Sequence, residues 1–174
     1  LGSSADYTAS DGTLFQADDT GFGNWSVVNG DIAGTTDDAL YRTQLWTSGP
    51  ARYDFRVENG SYEVELHFAE TYYAAAERGA RVTDIFLEDA LVEDDHDAFA
   101  EAGFDRAVVK TFRTEGDDGQ LDIDLVNEIE SPSLAAVKIT RVSGGEAAAD
   151  GLHHISAGPD GGPFLPSDEA FPVD

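Results

Sequence analysis

Tyr62-Glu-Val-Glu-Leu-His-Phe-Ala-Glu-Thr-Tyr-Tyr73 is the stretch that decides how this chain folds. Tyr62, Val64, Leu66 and Phe68 alternate with Glu63, Glu65 and His67, the two-residue period of a strand with one buried and one solvated face. The alternation then stops, and two adjacent tyrosines follow where the strand gives way to a loop. Neighbouring residues point in different directions, so a core strand has no use for Tyr-Tyr at its exit. A surface that grips a flat, hydroxyl-rich ligand does, because each ring offers an apolar face and a polar tip. The stretch therefore places an aromatic platform at the rim of a β-sheet.

Upstream, Tyr53, Phe55 and Val57 alternate with Asp54 and Arg56, and Glu58-Asn59-Gly60 reads as a tight turn making a hairpin with the central strand. Downstream, strands are predicted over Arg81 to Leu87, Ala107 to Thr114, Gln120 to Val126 and Leu134 to Val142, with a helical turn within Asp95 to Ala102. In Gln120-Leu-Asp-Ile-Asp-Leu125 the apolar residues take one face and the aspartates the other. Residues 1 to 40, rich in Gly, Ser, Thr, Asn and Asp, read as loops and short strands, with turn signals at Asp11-Gly12 and Asn29-Gly30. Short strands at regular intervals, with no helix long enough for a βαβ crossover, predict an all-β antiparallel sandwich of jelly-roll-like build. After Val142 the composition changes. Residues 143–174 hold four of the six prolines and scattered apolar residues, reading as a Gly/Pro-rich linker or interaction tail after a domain of residues 1–142.

The chain carries 35 Asp plus Glu against 10 Lys plus Arg, a formal net charge of −25 over 174 residues. This acidity reads either as cation binding or attraction to a basic partner, or as adaptation to high salt; the carboxylates are spread over the whole chain, as the salt reading requires, since a short Debye length screens their repulsion. A halophile, and a haloarchaeon in particular, is the expected source. No basic patch exists to neutralise phosphates, so nucleic acid is not an expected partner. No Cys is present, which removes disulfides and thiolate metal sites. No apolar run approaches the roughly 20 residues that span a bilayer. No signal peptide precedes Leu1, and the abrupt Leu-Gly-Ser-Ser opening suggests a portion of a longer protein.

Four segments carry a family likeness in their order and spacing: Leu40-Tyr-Arg-Thr-Gln-Leu-Trp46, Leu66-His-Phe-Ala-Glu-Thr-Tyr-Tyr73, Arg81-Val-Thr-Asp-Ile-Phe-Leu87 and Ser131-Pro-Ser-Leu-Ala-Ala-Val-Lys-Ile139. Together they resemble the malectin and malectin-like domains, over about residues 1 to 142. The resemblance implies a non-catalytic β-sandwich of the carbohydrate-binding-module type, binding glucose-containing oligosaccharides through loops at one edge. It assigns Trp46, Tyr72, Tyr73 and Glu130 to the site, with Trp25 or Phe22 as a looser early aromatic. Trp in place of the family's Tyr at position 46 enlarges the stacking face and removes a hydroxyl, and Glu130 reaches one methylene farther than the family's Asp. Sugar chemistry fits these roles: the C–H face of a pyranose stacks on an aromatic ring, and its hydroxyls pair with tyrosine hydroxyls and a carboxylate.

Each of these residues also has a plainer reading. The tyrosines serve loop packing, Trp46 and Tyr41 serve the core, His67 makes a structural hydrogen bond, and Asp84 is held by donors nearby. Glu70 is the best acid for an enzyme, yet glycoside hydrolysis needs two carboxylates across a cleft, which so acidic a sequence cannot single out. Asp37-Asp38 and Glu93-Asp94-Asp95 are either solvated loops or Ca²⁺ ligands; no other cofactor is expected. The functional expectation is a carbohydrate-binding module of a cell-surface or secreted protein, its partner a glycan or glycoprotein. The alternative is a structural subunit of an extracellular filament, sheath or adhesin, self-associating or joining a neighbouring domain through residues 144–174.

Overall fold

A computed structural model describes residues 1, 3–18 and 22–142; the tail of residues 143–174, and with it the proposed linker and its contacts, lies outside the described residues. The elements run β1 (Tyr7–Thr8), β2 (Leu14–Phe15), β3 (Asn24–Val27), α1 (Asp38–Tyr41), β4 (Thr43–Trp46), β5 (Ala51–Arg56), β6 (Gly60–Ala69), a 3-10 turn (Tyr73–Ala75), β7 (Val82–Leu87), β8 (Ala90–His96), α2 (Ala98–Ala102), β9 (Ala107–Gly116), β10 (Gln120–Ile129), β11 (Ser133–Leu134) and β12 (Ala136–Arg141). A four-stranded sheet in the order β5-β10-β7-β8 faces a three-stranded sheet β12-β6-β9, and a second three-stranded sheet β11-β4-β3 lies towards the site. Every paired strand in these sheets is antiparallel. This is the all-β antiparallel sandwich the alternation predicts.

The period-2 pattern sorts residues as expected. Val64 and Leu66 of β6, Ile85 and Leu87 of β7, and Leu121, Ile123 and Leu125 of β10 are fully buried in one cluster between the two main sheets. A smaller cluster of Ile32, Tyr41, Ala69 and Ala135 covers the other face of β6 near its end. His67 is therefore buried despite its polar phase: its Nδ1 lies 2.8 Å from the Tyr41 hydroxyl and its ring packs edge-on against Phe15. The plainer readings of both residues hold, Tyr41 in the core and His67 in a structural hydrogen bond. Asp84 is half-buried and its Oδ1 accepts the Asp95 N–H at 3.0 Å.

Two expectations need correcting. β5 and β6 do not form a hairpin, because β5 pairs with β10 and β6 pairs with β9 and β12. The connection over residues 57–59 is an arch between sheets, so the apolar faces of the two strands meet across the core. A second arch between β9 and β10 lies against it, with the Val57 N–H donating to the Gly119 carbonyl at 3.1 Å and Asn59 Nδ2 to the Asp117 carbonyl at 2.5 Å. Glu93-Asp94-Asp95 is no loop but part of β8, a strand that among the described residues lies at a sheet edge and pairs only with β7. Edge strands tolerate charge, and the β7–β8 turn uses Glu88 and Asp89 at φ 50° and 60° where Asn-Gly would have announced it. The helical turn expected within Asp95 to Ala102 forms over Ala98–Ala102, capped by Asp97 Oδ1 accepting the Ala100 N–H at 2.8 Å. Asp11-Gly12, by contrast, does join two strands, with Gly12 at φ 88° between β1 and β2.

Candidate functional site

Five segments converge at one edge of the sandwich. The end of β6 delivers Glu70, Thr71 and Tyr72, β7 is preceded by Arg81, the β10–β11 loop carries Glu130 and Ser131, and β3 and β4 contribute Trp25, Ser26, Gln44 and Trp46. Together with Ser133 they line a cleft of about 440 Å³, within the size range of small-ligand sites. Trp25, Trp46, Tyr72 and Glu130 thus meet in one place although up to 105 positions separate them in sequence (130 − 25). Both tryptophans of the chain are among them.

A buried ion pair sets the floor. Glu70 is 3% exposed, and its Oε2 accepts from Arg81 Nε at 2.7 Å while its Oε1 accepts the Tyr72 N–H at 2.8 Å. Arg81 Nη1 donates to the Ser131 carbonyl. One arginine and one glutamate therefore tie three separate segments into a single wall, with charge-assisted bonds of the strong kind. Gln44, also buried, donates from Nε2 to the Ala69 carbonyl at 2.9 Å and to Thr71 Oγ1 at 3.2 Å. The β10–β11 loop is pinned by fully buried Pro132, and Glu130 stands exposed at φ 62° with its Oε1 accepting the Ser131 N–H at 3.1 Å. The positive φ at Glu130 is uncommon for a residue with a Cβ.

Tyr73 does not line the cleft. Tyr72 has extended backbone, φ −89° and ψ 110°, and Tyr73 opens the 3-10 turn, so the two side chains part. Tyr73 is 85% exposed, and its ring meets Phe104 edge-on with centroids 6.4 Å apart. Phe22, the other early aromatic, packs edge-on against core Tyr53. Sequence reasoning passed over Arg81 and Gln44 as ligand-site residues. The available signal was scarcity: in a chain with 10 basic residues, an arginine at the mouth of a strand beside the tyrosine loop stands out.

Behind the floor, His96 is buried next to Phe68, with Nδ1 2.9 Å from Glu101 Oε1, and desolvation outweighs the carboxylates Glu101 and Glu93 to lower its pKa. Of the carboxylates considered for Ca²⁺, Asp37 accepts from the Ser10 N–H and the Tyr7 hydroxyl, Asp38 pairs with Arg42 at 2.5 Å, and Glu93 pairs with Lys110 at 2.9 Å. Asp94 and Asp95 bring carboxylate oxygens within 4.8 Å of each other and of Asp84, the donor type that suits Ca²⁺.

The chain belongs to the malectin-domain family, whose model matches residues 1–143. Domains of this family are carbohydrate-binding or extracellular ligand-binding modules. Among curated proteins no sequence matches. Among solved structures the chain is similar to a β-glucuronidase of Bacteroides uniformis, with TM-score 0.72 and 21% identity over 82% of this chain and 18% of that one. It is similar to the extracellular domain of ANXUR2 from Arabidopsis thaliana, with TM-score 0.69 and 17% identity over 80% and 47%. A third is the plant receptor-like kinase FER, with TM-score 0.64 and 20% identity over 72% and 41%. At these identities the likeness establishes the fold. The chain spans less than half of each of these proteins. Among the described residues no helix is long and apolar enough to cross a membrane.

Proposed function

We propose that the domain is a non-catalytic carbohydrate-binding module that grips a glycan in the edge cleft, outside the cell and in concentrated salt. The observation that carries this reading is the convergence of Trp25, Trp46, Tyr72 and Glu130 on one cleft of about 440 Å³. The aromatic rings stack on the C–H face of a pyranose, and Glu130, Ser131 and Ser133 meet its hydroxyls. Tyr73, outside the cleft lining, serves at most as an outer contact for a longer chain. Glu70 acts as a counter-ion rather than as an acid, since both its oxygens are engaged. The reading of a saline habitat is supported by the charge of −25, and the extracellular one by the receptor ectodomain among the similar structures. A glycan-array screen in molar KCl tests the function, comparing wild type with Tyr72→Ala/Trp46→Ala. Binding that the double variant loses supports the module; a folded wild type that binds no glycan contradicts it.

An assembly role is the second reading, and β3 favours it. β3 is the outer strand of its sheet, and residues 22–30 carry no charge in a chain that is 26% charged. Trp25 and Val27 are both exposed there. An unguarded edge of this kind accepts another strand. Concentration-dependent self-association that Val27→Lys abolishes would support assembly; a monomer at all concentrations would exclude it.

A further inference from the structure

We infer that Glu70 sets the charge selectivity of the cleft: by occupying Arg81 it makes the site one for uncharged sugars and turns away uronic acids. The inference rests on the carbohydrate reading above and deepens it. Arg81 is the one cation among the residues lining the cleft, and the carboxylates there are Glu70 and Glu130. An arginine at the floor of a sugar cleft is the residue type that captures a carboxylate, through two parallel N–H···O bonds. That capture edge is already spent. Arg81 Nε donates to Glu70 at 2.7 Å and Nη1 to the Ser131 carbonyl. Nη2 alone has no hydrogen-bond partner among the described residues.

What remains suits a neutral ligand. Two N–H donors on one nitrogen can serve hydroxyl or ring oxygens, while a planar carboxylate would find no paired edge to match. Glu70 is itself the carboxylate seated on Arg81, in the place an acidic ligand would take, and it is held there by the Tyr72 N–H at 2.8 Å. A uronate entering the cleft would bring a negative charge to Glu130 and to a cancelled Arg81–Glu70 pair, on a chain of net charge −25. Like charges so placed repel, and removal from water strengthens the repulsion. Glu70 and Arg81 are therefore specificity-determining residues, the glutamate by what it denies to the ligand.

The test compares binding of neutral gluco-, galacto- and manno-oligosaccharides with oligomers of glucuronate and galacturonate, at 0.5 M and 2 M KCl, for wild type, Glu70→Gln and Asp117→Asn. Wild type is expected to bind its best neutral oligosaccharide at least tenfold tighter than any uronate. Glu70→Gln keeps an oxygen acceptor and removes the charge, so the ratio of uronate to neutral affinity should rise at least tenfold, most at 0.5 M KCl. Asp117→Asn, a carboxylate remote from the cleft, should move that ratio less than twofold. Uronate binding by wild type equal to or tighter than neutral binding overturns the inference and leaves the carbohydrate reading standing. So does an unchanged ratio in folded Glu70→Gln. Should that variant fail to fold, the wild-type ratio alone decides. Binding of neither class by folded wild type overturns the carbohydrate reading, and the inference with it.

Discussion

Tyr72 and Tyr73 diverge because one has extended backbone tied to Glu70 and the other begins a 3-10 turn. Stacking and burial of one ring are worth about 1–3 kcal/mol, and about 1.4 kcal/mol is tenfold in affinity. Tyr72→Ala and Trp46→Ala should therefore each weaken glycan binding about fivefold or more by calorimetry, whereas Tyr73→Ala should change it less than threefold. A loss through Tyr73 as large as through Tyr72 would mean that the ligand lies outside the cleft. His67 makes a prediction about pH. Burial lowers its pKa from 6.5 to about 4, against the pull of Glu65. The folded state thus holds fewer protons than the unfolded one between those values, so stability is full above pH 6.5 and falls towards pH 4, by on the order of 3 kcal/mol from this group. Asp122 has the opposite sign. Burial, then its contact with Asp54, raises its pKa from 3.8 to about 6 against Arg52, so its contribution is present below pH 3.8 and lost as pH rises through 6. Urea unfolding from pH 7 to pH 4 should show His67→Phe flattening the fall and Asp122→Asn steepening it. Identical pH profiles in all three proteins would contradict these assignments.

Among the elements, β3 depends on a single backbone position for its seat. Gly23 lies at φ 72°, and a Cβ there would come within 3.0 Å of Leu45 Cδ2 and of the Trp46 carbonyl oxygen. Left-handed backbone costs an L-residue roughly 1–2 kcal/mol before the clash is counted. Gly23→Ala should lower the Tm and weaken glycan binding together, because the shift reaches Trp25 and Trp46 at once; weaker binding at an unchanged Tm, or the reverse, would contradict that coupling. The strands themselves were legible from alternation, β6 and β10 above all, because each has one face in the core. Their partners were not. Both β5 and β6 place an apolar face inward, and that pattern is the same whether the strands lie side by side or face each other across the core. β8 escaped because an edge strand carrying Glu93-Asp94-Asp95 shows no alternation, and Glu88-Asp89 gives no turn signal before it. For the site, the aromatics were visible as residues that a core strand does not need at its exit. Arg81 and Gln44 were not, because their role lies in bonds to segments distant in sequence.

For the whole molecule, a charge of −25 is a standing repulsion that solvent ions relieve. The Debye length falls from about 10 Å at 0.1 M to about 3 Å at 1 M ionic strength. The Tm should rise by 10 °C or more between 0.1 M and 2 M KCl, followed by circular dichroism; a flat or falling Tm would contradict adaptation to salt. The central claim is that the edge cleft is a glycan-binding site, and the position of both tryptophans in it makes the test direct. We would follow the two indole N–H signals by NMR while titrating a glycan identified on the array, in 2 M KCl. The account predicts that both signals move, together with the backbone amides of Thr71, Tyr72 and Ser131. Saturable binding that leaves both indole signals in place would put the sugar elsewhere and contradict the account.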